Sequence, residues 1–279
     1  MAYIVHGATG AQGSPVLSAL AAAGLSPVAA VRDTSKVDGE AVAVDLSSVD
    51  SVAAAYEGAE GVFVHLPVGP AYVQRLQALV IGEAVRRARP QRVVFSTSGY
   101  TIGAGGSDLD APNVMVRELA ASGVSYAIVE PRLYLENLLL PPLLSAVHEG
   151  VLPYPLRADY ATSWSSHLDV AEVVVRLLQT PEVTGIVSVG ALPGLVGADL
   201  ADGFSRYLGA PVSYRAITAD EMGEMIIPMF GAAGAAPVVE SYRYRAGQPG
   251  EEIPADRSAQ KLLGLSPRSV EDWLRAMGA

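Results

Sequence analysis

Five short apolar runs, spaced by longer segments of helical periodicity, limit the fold of this chain more than any other feature. The runs are Tyr3–His6, Pro27–Arg32, Gly61–Leu66, Arg92–Ser96 and Ser125–Glu130. Within them IVH, VAAVR, VFVHL, VVFS and YAIVE offer apolar side chains to both faces, as in parallel strands covered by helices on either side. The helical segments between them are Ser14–Ala23, Val49–Tyr56, Ala71–Ala88 and Val114–Ser122. Strand–helix alternation at this spacing predicts an α/β fold, a Rossmann-type doubly wound parallel sheet.

The second half is less regular. Leu138–Val147 reads as a helix interrupted at its start by Pro141-Pro142, and residues 151–166 read as a loop rich in Pro, Tyr and Trp. Asp169 is placed to cap the helix VAEVVVRLLQ. Gly185–Gly190 reads as a strand, Val196–Leu208 as a helix, residues 228–256 as a mobile flap, and SPRSVEDWLRAMG as a terminal helix. The expected organisation is a dinucleotide-binding domain over residues 1–137 and a small α/β substrate lobe over 138–279, with a segment near 167–190 returning to the first sheet. No internal repeat or linker-like stretch separates the two.

Directly after the first strand stands Gly7-Ala8-Thr9-Gly10-Ala11-Gln12-Gly13, and Ser14-Pro15 opens a helix. A first glycine allows the tight turn, a second lets the backbone approach a pyrophosphate, and a third lets helix pack on strand. A phosphate would meet free N–H groups and the positive end of the helix dipole. Alone, a glycine-rich turn is usually only a turn. Its position between first strand and first helix makes it a dinucleotide fingerprint.

The second strand ends Arg32-Asp33-Thr34-Ser35-Lys36. An NAD site would place a carboxylate here for the ribose 2′-hydroxyl. Arg32 stands there instead, with Lys36 four residues on, and a guanidinium can fork onto a 2′-phosphate. The cofactor expected is therefore NADP(H) in preference to NAD(H), although Asp33 could serve a 2′-hydroxyl in part. Asp45-Leu46 are expected beside the adenine, and His65-Leu66-Pro67 along the ribose side.

Charge and composition sharpen this. The 279 residues are 50% apolar and 17% charged, with a formal charge of −10 and no cysteine. Such a chain buries a sizeable core, so disorder is excluded. A thiol nucleophile, a disulfide framework and a thiolate metal site have no atoms to use. The acidic balance excludes a nucleic-acid partner. Nothing resembles a targeting or membrane segment, so a cytoplasmic protein acting on a small molecule is expected, without a metal and with a homodimer left open.

The motifs GATGAQG and VRDTSK resemble the NmrA-like family, atypical members of the extended short-chain dehydrogenase/reductase superfamily. VVFSTSG (93–99), SGVSYAIVEPRLYLEN (122–137), SWSSHLDVAEVV (163–174) and LGAPVSYRAITADE (208–221) extend the resemblance over most of the chain. It implies a Rossmann domain with a C-terminal substrate lobe and an NADP(H) site. Gly7 to Gly13, Arg32 and Lys36 would hold the cofactor, with Ser96 and Pro131 at strand ends beside it. The family includes reductases of quinones and triphenylmethane dyes and also NADP-sensing regulators.

The superfamily's usual Tyr-x-x-x-Lys catalyst is excluded by counting. The two lysines are Lys36 and Lys261, and the residues four before them are Arg32 and Arg257. Nor does the helix beginning Pro112-Asn113-Val114 offer the lysine or histidine that related reductases carry there. Tyr100, Tyr134 and His167 remain as candidate catalytic groups, with Ser98, Asn137 and Trp164 as candidate substrate contacts. Each has a plain structural alternative: strand-end capping for Ser98, lobe sealing for Trp164, a satisfied core histidine for His167. Without a strong acid, an electrophilic acceptor such as a quinone, enone or iminium suits hydride transfer by positioning alone. Two other readings stay open: an NADP(H)-sensing scaffold, and a cofactor-bound enzyme of a redox-neutral isomerisation or cyclisation.

Overall fold

The computed structural model describes residues 2–103 and 106–278. In chain order the elements are β1 (Tyr3–His6), α1 (Gly13–Ala22), β2 (Pro27–Val31), β3 (Ala41–Ala43), α2 (Val49–Tyr56), β4 (Gly61–His65), α3 (Ala71–Ala88), β5 (Arg92–Ser96), α4 (Ala111–Ser122) and β6 (Ser125–Pro131). There follow α5 (Pro141–His148), β7 (Val151–Tyr154), α6 (His167–Gln179), β8 (Gly185–Val189), α7 (Gly197–Leu208), β9 (Ser213–Ala216), α8 (Ala219–Ala246), α9 (Ala259–Leu263) and α10 (Val270–Met277).

The chain divides into two compact units. The first comprises residues 1–131, 167–189 and 256–265; the second comprises 132–166, 190–255 and 266–279. The sheet of the first unit has seven strands in the order β3-β2-β1-β4-β5-β6-β8, and every pairing is parallel. This is the Rossmann-like sheet that the apolar runs predict. Strand order reverses between β1 and β4, and the carboxyl ends of the strands at that reversal are where open α/β sheets bind ligands.

The two-sided apolar strands have the partners they require. Ile4, Val62, Val64, Val93, Phe95 and Ile128 face a core completed by Val52 and Tyr56 of α2, Ile81 and Val85 of α3, and Met115 and Leu119 of α4. The intervening residues Val5, Phe63, Val94 and Ala127 are also fully buried, as are Val16 and Leu20 of α1 and Val170, Val174 and Leu177 of α6. Period-two alternation thus serves two cores at once.

Several expectations are corrected. β7 occupies the start of the segment read as a loop, and in the second unit it pairs with β9 in parallel. Both strands are four residues long and one contains Pro153, so they carry little periodic signal. The segment read as a flap is largely α8, which turns at Gly231 (φ +69, ψ 166) and so joins two shorter helices end to end. An 18-residue window of α8 reaches a mean hydropathy of 1.4, long and apolar enough to cross a membrane by composition, with 22% of it buried. α6 begins at His167, so Asp169 lies within its first turn rather than at its cap.

One buried cation ties the first unit together. Arg92, at the start of β5, is only 2% exposed. Its guanidinium donates to the carbonyls of Leu177 (2.9 Å), Thr180 (3.3 Å), Pro181 (3.0 Å) and Val183, and to the Ser125 hydroxyl (2.6 Å). Leu177 lies in the last turn of α6, and Thr180, Pro181 and Val183 follow the helix on the way to β8. Burial lowers the pKa of the group, opposed by Glu182 nearby. Arg92→Ala should therefore destabilise the chain by about 3 kcal/mol or more, read from urea unfolding, because it orphans several buried acceptors at once. Arg92→Lys should recover only part of the loss, since an ammonium cannot fork across these oxygens.

Candidate functional site

The glycine turn is shaped by contacts that leave no room for a side chain. Gly7 has φ +61, in the left-handed region, and a Cβ there would lie 2.2 Å from Nε2 of His65. A Cβ on Gly13 would lie 2.2 Å from the Gly7 carbonyl oxygen and 2.6 Å from that of His6, so α1 rests directly on the end of β1. Between them the Gly10 N–H donates to the Gly7 carbonyl at 2.8 Å. Thr9, Gly10 and Ala11 are exposed, at the N-terminal end of α1. No acidic side chain stands in the helix's first turn to compete with an anion.

Two cavities flank this turn, both within the first unit. One, of about 560 Å³, is lined by His6, Gly7, Thr9, Arg32, Asp45, Leu46, His65 and Pro67 among others. Seven residues expected to bind the cofactor therefore share one wall with His6. Lys36 and Asp33 do not line it. Asp33 accepts from the N–H (3.1 Å) and hydroxyl (2.6 Å) of Ser35, and Lys36 lies 3.7 Å from it. The Ser35 hydroxyl above all holds the Asp33 carboxyl below its ordinary range. Asp45 likewise caps Ser47, whose hydroxyl lowers its pKa.

The other cavity, of about 630 Å³, is lined by Ala11, Gln12, His65, Leu66, Thr97, Ser98, Tyr100, Asp110 and His167 among others. Gln12 is locked by partners more than eighty residues away: it accepts from the Ser96 hydroxyl (2.8 Å) and donates to Ser98 Oγ (2.9 Å). Ser98 itself has φ +55, a left-handed conformation that a non-glycine residue holds at some cost. Gln12 and Ser96 thus spend their side chains bracing the end of β5 against the glycine turn. Thr97 differs: it is 4% exposed, and nothing among the described residues hydrogen-bonds to its hydroxyl.

Tyr100 reaches the start of α4 from the loop after β5. Its hydroxyl donates to Asp110 Oδ2 at 2.9 Å and accepts from the Asn113 side-chain amide at 3.0 Å. Burial, and then the Asp110 carboxylate, raise its pKa, so its proton is committed to that carboxylate at neutral pH. Asp110 and Asn113 carry no periodic or motif signal that would have linked them to Tyr100.

Three of the four histidines surround the turn. His6, buried at the end of β1, pairs with the Tyr56 hydroxyl at 2.8 Å. Burial, helped by His65, pushes its pKa down to about 3. His167 is pushed down to about 4 by burial and by His65. His65 is also lowered, by burial, although a weak contact of Nδ1 with the Leu66 carbonyl (3.4 Å) opposes this. All three rings are neutral at pH 7. Among the described residues no cluster of three or more His, Asp or Glu side chains is arranged to hold a metal ion.

Tyr134, Asn137 and Trp164 belong to the second unit. Asn137 hydrogen-bonds to the Tyr154 hydroxyl, which also meets that of Tyr242. Trp164 is 1% exposed, and its ring stands edge-on to Tyr154 with centroids 5.4 Å apart. Tyr134 bridges through its backbone to Ser165. Pro131 ends β6 beside Val189 of β8. Glu130, fully buried, accepts from the Ile102 N–H at 2.7 Å and lies 3.9 Å from Arg257.

With this geometry in place, comparison with known proteins is decisive at family level. The model of the NmrA-like family matches residues 3–274. The chain belongs to the NmrA-like family. An NAD(P)H azoreductase of Xenophilus azovorans is 30% identical over 240 residues, 81% of this chain and 80% of that protein. The NADP(H) complex of the Citrobacter sp. triphenylmethane reductase superposes with a TM-score of 0.77 at 18% identity, covering 99% of this chain and 100% of that one. A nucleoside-diphosphate-sugar epimerase of Staphylococcus aureus does so with a TM-score of 0.76 at 19% identity, over 99% and 100%. At such identities the superpositions speak for the fold alone. A fold shared by reductases and an epimerase leaves the chemistry of this NmrA-like chain to its own site.

The lowered histidines set an acid limit to stability. In the unfolded chain each takes up its proton near pH 6.5, whereas the folded chain resists until about pH 4 for His167 and about pH 3 for His6. Stability is therefore complete above pH 6.5 and falls as pH drops below it, by up to about 1.4 kcal/mol per pH unit for each such histidine. Urea unfolding of the ligand-free protein between pH 7.5 and 5 should show this slope, and His6→Gln should flatten it.

Proposed function

We propose that the chain is an NAD(P)H-dependent reductase that delivers hydride to a small electrophilic acceptor of the quinone, enone, iminium or azo type. The observation that carries this reading is the pair of cavities meeting at the glycine turn. One has Arg32 at its far wall, and the other has no permanent cation among its described lining residues. The NAD(P)H azoreductase relationship over four-fifths of the chain supports it.

The residues present fit a dinucleotide. Two backbone positions admit no Cβ, N–H groups open at the start of α1, and His65 Nε2 and Thr97 Oγ1 are buried without partners. In this reading Gly7 to Gly13 cradle the pyrophosphate, and Asp45 and Leu46 border the adenine. Arg32 receives the 2′-phosphate, which makes NADP(H) the preferred form, since Asp33 is already satisfied by Ser35 and Lys36. When bound, the reduced nicotinamide supplies the hydride. The protein's own part is to orient it, to exclude water with Leu66 and Ala111, and to offer the Thr97 hydroxyl to the acceptor's polar atom. Tyr100 remains protonated and braced by Asp110 and Asn113, and His167 stays neutral. The proton that completes reduction then comes from solvent.

One observation favours the scaffold reading as second. Tyr72, Leu76 and Leu79, spaced along one face of α3, are 62%, 57% and 41% exposed, next to the fully exposed Val68. An apolar stripe of this kind is a recognised mark of an interaction surface.

Arg32→Ala should weaken NADPH binding by about 10- to 100-fold and NADH binding by less than about threefold, as measured by fluorescence titration. Equal losses would refute the 2′-phosphate assignment. With NADPH deuterated at C4, the label should appear in the reduced acceptor of a quinone, enone and azo screen. Tight NADPH binding with no transfer to any acceptor would favour the scaffold.

A further inference from the structure

We infer that His65 is the counter-charge of the bound dinucleotide: it takes a proton from solvent onto Nε2 when the cofactor's phosphates enter, so that binding and protonation are one event. This rests on the reading of the glycine turn as a pyrophosphate site. Three features of the structure carry it.

The first is position. His65 ends β4 and lines both cavities, and its ring lies so close to Gly7 that a Cβ there would fall 2.2 Å from Nε2. Among the described residues His65 and Val68 line both cavities, and Val68 is fully exposed. The second is an unused atom. Nε2 is buried, and nothing among the described residues hydrogen-bonds to it, whereas Nδ1 faces the Leu66 carbonyl at 3.4 Å. A proton on Nδ1 leaves Nε2 as a bare lone pair beside the turn. An unmade bond of this kind is costly in a buried site unless a ligand completes it.

The third is charge. Arg32 is the sole permanent cation among the described residues lining the two cavities, and it stands at the adenosine end. The groups that face His65 are His6 from β1, His167 from α6, Phe63 one pleat back on β4, and, across the second cavity, Tyr100 and Asp110 before α4. Tyr56 of α2 meets it only through His6. Burial above all, with repulsion from His65 acting on His6 and His167, keeps the three rings neutral in the ligand-free site. An anion of one charge about 5 Å from an imidazole raises its proton affinity by about two pH units at the effective dielectric of a half-buried site. A pyrophosphate brings two such charges, and repulsion between neighbours allows only one of the rings to charge fully. His65 is that ring, because His6 is already committed to Tyr56.

Isothermal titration of NADPH into the whole protein at pH 6.5, in buffers of high and low ionisation enthalpy, tests this. The expected result is uptake of a fraction of a proton approaching about one, with affinity rising up to about tenfold per pH unit as pH falls from 8 to 6.5. In His65→Asn the uptake should vanish and the affinity should lose its pH dependence, while His167→Asn should keep the uptake. Should His65→Asn not fold, ¹⁵N-histidine spectra of the wild-type chain give the same answer, since Nε2 of one histidine must change from bare to protonated on binding. NADPH binding without buffer dependence would overturn the inference alone. Absence of NADPH binding would instead overturn the cofactor reading on which it rests.

Discussion

The rest of the first unit is arranged around the contact of α1 with the end of β1. At Gly13 the helix backbone approaches the carbonyls of Gly7 and His6 so closely that one methyl group would force them apart. That approach sets the first turn of the helix over the carboxyl edge of the sheet, next to the reversal of strand order between β1 and β4. The helix dipole and its free N–H groups then face a crevice that the topology opens in any case. Gln12, one residue earlier, converts the same contact into a brace. Its side-chain amide holds Ser96 and Ser98, so the ends of β1 and β5 move as one piece. The left-handed Ser98 is the strain that this brace sustains.

Legibility of the sequence follows the physics of what each element must bury. Strands covered on both faces can be written only with apolar residues throughout, so β1, β2, β4, β5, β6 and β8 stand out as unbroken runs. The glycine turn is equally plain, because its residue types answer a steric demand and leave no substitute. Where the demand is weaker the signal fades. β9 is a four-residue strand that is mostly exposed, and its partner β7 includes a proline. α8 carries Pro228, Pro237 and several glycines, and reading these as breakers predicted a flap. The structure accommodates them through a single turn at Gly231, and the alanine-rich stretch that follows it, residues 232–236, continues the helix. Side-chain pairs across the fold were the least legible part. Neither Arg92 with the end of α6 nor Tyr100 with Asp110 and Asn113 has a period or motif. Such pairs depend on where chain segments meet after the sheet has formed. The segment 256–265, which returns to the first unit beside β8, is hidden for the same reason.

The scarcity of lysine acquires a physical meaning in this setting. A tyrosine made acidic by a neighbouring ammonium protonates a simple ketone as hydride arrives. Here the hydroxyl in the corresponding region, Tyr100, donates to a carboxylate, and its pKa moves up rather than down. The imidazoles nearby move in the direction that also withholds a proton, since burial holds both neutral and His65 adds repulsion on His167. His65, Tyr100 and His167, which line the second cavity, are therefore set against strong acid catalysis at neutral pH. An acceptor in such a cavity must bring its own electrophilicity, and what the protein can add is proximity and a hydrogen bond from Thr97. Conjugated acceptors, whose reduction spreads negative charge over several atoms, need least from a general acid. In the reductase reading proposed above, the lack of a permanent cation among the described residues lining this cavity and the permanent charge of Arg32 in the other would divide the work: one end would anchor by charge, and the other would leave the reacting atoms in a low-dielectric space.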